Sequence, residues 1–386
     1  MESMTVTIEK IVSGGYGFVR LSEEKVVFVP FSLPGEELEI ALFDQKKNYA
    51  FGKILEIKKP SPQRIASLCP LFGTCGGCQF QMTDYPTQLI HKKFIIEESV
   101  RRIAKLDVPV NDPIPADNPF FYRNKGSFQV FGTQELGYCK PGTTVPFAIE
   151  SCPIMEEAIN AKIADFLQDP SERAKLAGMK ALVIRSNNLG ETINSTIKRD
   201  FFMEETAGLQ FRVDVDTFFQ VNRSIIPKWL EYIKTLILKH DNVGQGLLDL
   251  YSGVGTISQY LAPHFEQVVG IEVNKTLVDN GNKVPQINKI DNARFIVADA
   301  SRFFDYGLKY DTVIINPPRK GISRGMVKTL SEAKPEVIIY SSCNPDTFSR
   351  DIRHLSESGY NIDEIQPFDM FPQTQHSEVV GVLYLK

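Results

Sequence analysis

The 386-residue chain has no apolar run near the ~20 residues that a membrane-crossing helix requires. Its opening, MESMTVTIEK, has two acidic side chains and no apolar stretch. A secretory leader is therefore not expected, and a cytoplasmic location is. An excess of positive charge is also missing: 43 Lys and Arg stand against 47 Asp and Glu, a net charge of −4. That balance argues against indiscriminate coating of a polyanion and leaves only local, shape-dependent contact with nucleic acid. Internal repeats and low-complexity tracts are absent. With 42% hydrophobic residues the cores need no disulfide or metal staple, and the length argues for two or three domains.

What is present divides the chain into three. Residues 1–60 alternate apolar and polar side chains in short runs separated by turns at Gly14-Gly15 and Pro34-Gly35, which predicts a small β-barrel. Residues 61–215 form an α+β central region, with a helix expected near 85–105, hairpins over 119–150, a helix over 154–168, and strands through 180–197 and 209–216. Residues 216–386 open on a helical stretch at 224–239 and then alternate strands with helical segments, the signature of a doubly wound α/β sheet.

The first of those strands ends in Asp249-Leu-Tyr251-Ser-Gly253-Val-Gly255. Glycines there let the backbone approach a ligand closely. Glu272 closes the next strand, 23 positions after Asp249, where a ribose-binding carboxylate belongs. Ser258 replaces the third glycine of the phosphate fingerprint, so a cofactor without a pyrophosphate fits better than a dinucleotide. Asp299, after the third strand, is a candidate acceptor for an adenine amino group, or else a capping Asp in a turn. This half resembles class I S-adenosylmethionine methyltransferases.

The remaining motifs lie at the carboxyl edge of the same sheet: Asn316-Pro-Pro-Arg-Lys-Gly321, Ser341-Ser-Cys343-Asn-Pro345, and His376-Ser-Glu378-Val-Val. With Phe218-Phe-Gln220-Val-Asn222 they resemble the RumA/TrmA-type RNA (uracil-5-)-methyltransferase family over nearly the whole chain. The resemblance implies Cys343 as the nucleophile that adds to carbon 6 of uracil and Glu378 as the base that removes the carbon 5 proton. It also implies a cofactor site for S-adenosylmethionine formed by Gln220, Tyr251, Gly253, Glu272, Asp299 and Asn316. Many members have Asp where this chain has Asn316, which leaves a hydrogen-bonding role and removes a charged one. The chemistry needs these residue types: carbon 5 of uracil becomes nucleophilic only after a thiolate has added at carbon 6.

Cys69-x5-Cys75-Gly-Gly-Cys78, with Cys152-Pro as a fourth thiol, reads as a ligand set for tetrahedral zinc or a [4Fe–4S] cluster. The family resemblance implies the [4Fe–4S] cluster. Cys139 falls outside the pattern. The barrel resembles a TRAM domain, with Tyr16, Phe18 and Phe28 as candidate stacking surfaces. Lys92, Lys93, Arg101, Arg102, Arg123 and Lys125 are candidate phosphate contacts. The implied partner is structured RNA, 23S ribosomal RNA first and transfer RNA second, engaged by a monomer through a flipped base. An amino-group methyltransferase, suggested by Asn316-Pro-Pro, would need no Cys343. A non-catalytic iron–sulfur RNA-binding protein would need neither Cys343 nor Glu378.

Overall fold

The computed structural model describes residues 3–198, 200–240, 244–306 and 310–385. The N-terminal strands are β1 (Ser3–Thr7), β2 (Lys10–Val12), β3 (Tyr16–Arg20), β4 (Val26–Pro30), β5 (Glu37–Phe43) and β6 (Tyr49–Lys59). They pair in the order β1-β5-β6-β4-β3-β2, antiparallel except for β4 with β6. Alternation puts Val19, Val27, Val29, Leu38, Ile40 and Ala50 into one apolar core, as a period of two dictates.

Helix α1 (Tyr85–Ser99) starts where Asp84 accepts from the Thr87 N–H at 2.8 Å and Pro86 supplies a ready-made first turn. It continues as a π-helical turn over Val100–Ala104. Strands β7 (Lys125–Phe131), β8 (Glu135–Cys139) and β9 (Pro146–Ala148) join β10 (Ala181–Ser186) and β11 (Thr192–Asn194) in one sheet. Helix α2 (Glu157–Gln168) covers it with Ile159, Ile163 and Phe166. A short α3 (Pro170–Ala174) and the hairpin β12 (Phe201–Thr206)–β13 (Leu209–Asp214) follow; the sequence pattern had not marked β12.

Helix α4 (Ile226–Ile237) leads into the C-terminal sheet. Its strands are β14 (Gly246–Leu250), β15 (Gln267–Glu272), β16 (Ala293–Val297), β17 (Thr312–Ile315), β18 (Val337–Ser342), β19 (Tyr360–Phe368) and β20 (Glu378–Leu385). Helices α5 (Thr256–Leu261), α6 (Lys275–Ile287), α7 (Arg324–Ala333) and α8 (Pro345–Glu357) pack on its two faces. The order is β16-β15-β14-β17-β18-β20-β19, with five parallel strands followed by an antiparallel pair. Strand β20 inserts between β18 and β19, a step that periodicity alone does not reveal.

The α1 region packs on this sheet: Ile96, Val100 and Ala104 share a core with Leu248, Ile338 and Phe348. That packing explains why Lys92 does not reach a phosphate. It is fully buried, with Nζ 2.5 Å from Asp369 and donating to the Phe371 carbonyl at 3.0 Å. Lys125 is likewise turned inward, donating to the Thr217 carbonyl at 3.1 Å, and burial beside Arg185 pushes it down to about 8. Lys93 and Arg101 are paired with Asp112 and Glu98. Among the described residues, no helix is long and apolar enough to cross a membrane.

Candidate active site

The turn after β14 opens the carboxyl edge of the sheet. Tyr251, Gly253 and Gly255 all take positive φ, at 63°, 58° and 80°. A Cβ on Gly255 would lie 2.2 Å from the Phe295 ring, so that position tolerates only glycine. A Cβ on Gly253 would meet nothing within 4 Å, which marks open space beside the turn. Glu272, ending β15, accepts from the Gly253 N–H at 3.2 Å and the Asn274 N–H at 2.9 Å. Asn316, just past β17, donates its N–H to the Leu250 carbonyl at 3.4 Å.

Asp299 accepts from the N–H and hydroxyl of Ser301 at 2.8 and 2.7 Å, which holds its carboxyl below the usual range. It therefore caps a turn at the exposed rim. Gln220 is buried, and its carbonyl accepts from Asn124 at 3.0 Å. No hydrogen bond among the described residues links it to the other five. The residue missed in sequence is Asp249: fully buried and pushed up to about 7, it accepts from Ser258 at 2.7 Å while its second oxygen has no partner among the described residues.

Cys343 and Glu378 meet because β18 and β20 run antiparallel. Ser341 pairs with Val380 and Ser342 with Val379, so the next register step sets Cys343 opposite Glu378. Glu378 is buried, and burial pushes its carboxyl up to about 7. Among the described residues the contact that opposes this is Ser341, whose hydroxyl donates at 2.5 Å and in turn accepts from the Trp229 indole N–H at 3.2 Å. Burial and then Glu378 raise the Cys343 thiol, while Arg319 lowers it through its charge and a hydrogen bond.

Arg319 is held from both sides. Its backbone carbonyl accepts from Asn344 and Thr347, each at 3.1 Å. Its Nη2 lies 2.8 Å from His376 Nε2. Burial and the Arg319 charge push His376 down to about 4, so the ring stays neutral. A guanidinium only donates, hence Nε2 accepts. In sequence Arg319 is one residue of the Asn316–Gly321 motif; only the fold shows that its charge acts on the thiol.

The other cysteines lie next door. Cys69, Cys75, Cys78 and Cys152 border one chamber of about 600 Å³, together with Cys139, Arg319, Thr374 and His376. Burial and the neighbouring thiols push Cys78 up to about 12. The Cys75 sulfur accepts from the Gly77 N–H at 3.4 Å. Among the described residues, no group of three or more His, Cys, Asp or Glu side chains is gathered to hold a metal ion.

Comparison with known proteins decides the family. The tRNA (uracil-5-)-methyltransferase family profile matches residues 180–386, more than half the chain. The chain belongs to this family. It is a class I, S-adenosylmethionine-dependent RNA (uracil-5-)-methyltransferase preceded by a TRAM domain, whose profile matches residues 2–55. An uncharacterized RNA methyltransferase of Aquifex aeolicus is 31% identical, covering 99% of both chains. Another from Thermosynechococcus vestitus is 30% identical over 99% of this chain and 98% of its own. The crystal structure of Pyrococcus abyssi tRNA (uracil-54, C5)-methyltransferase with S-adenosyl-L-homocysteine superposes with a TM-score of 0.75 at 25% identity, covering 98% of this chain and 100% of that one.

In this methyltransferase the TRAM barrel presents a continuous aromatic face outside its valine core. Phe28 lies 6.2 Å from Phe18, 6.2 Å from Tyr16 and 5.7 Å from Phe51 between ring centroids. Phe43 and Tyr49 extend the face and are exposed. Lys10 and Arg20 stand 5.6 and 5.8 Å from the Phe18 ring. Tyr16, Phe18 and Phe28 are thus half-buried on the outer surface of the barrel.

Proposed function

We propose that this methyltransferase acts in the cytoplasm, as a monomer, on carbon 5 of a uridine in structured RNA, with Cys343 as covalent nucleophile and Glu378 as base. The observation that carries the reading is the antiparallel register that sets a buried carboxylate opposite a thiol held by a guanidinium. Cys343 loses its proton to solvent with help from the Arg319 charge, and the thiolate adds at carbon 6 of uracil. Gly253 and Glu272, with Gln220, Tyr251, Asp299 and Asn316 as further contacts, would hold S-adenosylmethionine, which would supply the electrophilic methyl group to carbon 5, its S–CH3 bond breaking to leave S-adenosylhomocysteine. Glu378 then takes the carbon 5 proton, the carbon 5–carbon 6 double bond reforms, and the Cys343 thiolate leaves.

The target base must leave its stack to reach a thiol at this depth. Phe218, 61% exposed on the 217–222 segment, is the proposed stacking partner for it. The barrel's aromatic face, with its cations, is the proposed platform for neighbouring unpaired bases, each worth ~1–3 kcal/mol. Cys69, Cys75, Cys78 and Cys152 would hold a [4Fe–4S] cluster: a shared chamber suits a polynuclear centre, each iron taking one thiolate, better than convergence on one ion. Its contribution there would be structural, tying the 69–78 loop to the 152 segment.

Large-subunit ribosomal RNA is the first substrate reading, because a TRAM domain together with the four-cysteine set resembles the ribosomal branch. Transfer RNA is the second, favoured by the Pyrococcus abyssi neighbour. The test is incubation with S-adenosylmethionine and 5-fluorouridine-substituted ribosomal or transfer RNA, followed by a denaturing gel. Fluorine at carbon 5 cannot leave as a proton, so a covalent band is expected with one RNA and none with Cys343→Ala. Methylation that survives Cys343→Ala would point instead to an amino-group reaction.

A further inference from the structure

A tight turn of the TRAM barrel packs on the catalytic loops. Between β2 and β3 the chain reverses at Ser13-Gly14-Gly15, with Gly14 at φ 92° and Gly15 at φ 71°. Ser13 donates its hydroxyl to Asp346 at 2.9 Å, and Ser99 of α1 holds the other oxygen of the same carboxylate. Asp346 sits three residues past Cys343, in the first turn of α8. The Gly14 N–H points at Gln375 Oε1 at 3.3 Å. Gln375 is fixed in turn by its own N–H, which donates to Gln79 at 3.1 Å. Gly15 lies so close that a Cβ there would be 2.9 Å from Gln79 Cβ and 3.1 Å from Gln375 Cβ.

From Gln375 the contacts run through His376 to Arg319, the cation that acts on the thiol. The Gln375 amide nitrogen lies 2.9 Å from His376 Nδ1 and 3.4 Å from Nε2, over the face of the ring, and His376 Nε2 lies 2.8 Å from Arg319 Nη2, whose charge lowers the Cys343 thiol. A neutral imidazole has one acceptor to give Arg319, and its ring orientation decides whether that acceptor faces the guanidinium. Gln375 lays its amide over the face of that ring, and with the ring proton on Nδ1 it fixes the imidazole by packing.

We propose that the barrel turn Ser13–Gly15 and Gln375 are positioning elements of the catalytic centre: they orient His376, which holds Arg319 against the Cys343 thiol. The barrel then contributes to turnover as well as to RNA capture. The proposal rests on the assignment of Cys343 as nucleophile only for its kinetic consequence; the geometry of the chain stands apart from it.

Two variants test the contact from its two sides. Gln375→Met keeps the volume and removes the polar ends; Gly15→Ala puts a methyl group into the interface from the barrel. Each is expected to lower kcat about tenfold or more, a cost typical of a misplaced catalytic group, with KM for RNA within about twofold of wild type. A second measurement needs no RNA: the rate of Cys343 alkylation by iodoacetamide at fixed pH, read by peptide mass spectrometry in the full chain. It should fall at least about threefold in Gln375→Met, because a released Arg319 leaves less thiolate. If the wild-type protein methylates no RNA and Gln375→Met still slows alkylation, the substrate reading is overturned and the relay supported. A rise in KM for RNA with kcat and alkylation unchanged would overturn the relay, leaving the barrel a tether. Since Gln375→Met lies outside the barrel, a misfolded Gly15→Ala protein would not decide the matter.

Discussion

Two places in this protein hold thiols, and their electrostatic surroundings differ. Cys343 is raised by burial and by Glu378 but faces the permanent cation of Arg319. Cys78 is pushed up to about 12 by burial; the opposing influence is a hydrogen bond with Gln81, and the charges acting on it are other thiols, which raise it further. A thiol that must react near neutral pH needs a cation in the protein. Thiols that hold a metal obtain theirs from the metal, which displaces the protons on binding. One chamber wall, Arg319 and His376, separates the two regimes.

The largest way to break this comparison is Arg319→Met. Loss of a charge-assisted hydrogen bond is expected to lower kcat by about tenfold to a hundredfold. The pH midpoint of Cys343 alkylation should move upward, because the one lowering side chain is gone. An unchanged midpoint would show that the thiol does not depend on the guanidinium. On the other side of the wall, Cys78→Ser is expected to reduce bound iron after anaerobic reconstitution to under about a quarter of wild type. It should also lower the thermal midpoint by about 5 °C or more. Full iron content in that variant would remove Cys78 from the ligand set.

Most of the catalytic edge was legible because the motifs are contiguous in sequence. Asn316, Cys343 and Glu378 each sit within a few residues of a strand end, and an open α/β sheet collects ligands at its carboxyl edge. The pairing of Cys343 with Glu378 was not legible as geometry, since it depends on β20 entering the sheet antiparallel between β18 and β19. The role of Arg319 was hidden for the same reason, its partners being Asn344, Thr347 and His376 on three other segments. Lys92 was misread because charge type predicts exposure, whereas here Asp369 compensates a fully buried ammonium. Asp249 was passed over as a strand residue; its burial, not its position, makes it unusual.

The smallest expected effect sharpens the comparison most finely, because it alters the carboxylate that faces Cys343 and leaves the thiol itself in place. Glu378 must be ionised to accept a proton, so kcat/KM should rise with pH through a midpoint near its raised value of about 7. Ser341 is the one group that lowers it, by donating a hydrogen bond to the ionised form. In Ser341→Ala the acid limb should therefore move to higher pH, by less than about one unit, with rates converging at alkaline pH. The stability sign follows from the same shift. A carboxyl raised on folding binds its proton more tightly in the native state, so its contribution is present below the ordinary carboxylate range and lost as pH rises through about 7. Ser341→Ala should widen the fall in thermal midpoint between pH 5 and pH 8. It should also ease Cys343 alkylation slightly near pH 7, since a neutral Glu378 no longer opposes the thiolate. An acid limb that stays where it is would mean that Ser341 serves the Trp229 contact and that burial alone sets the carboxylate.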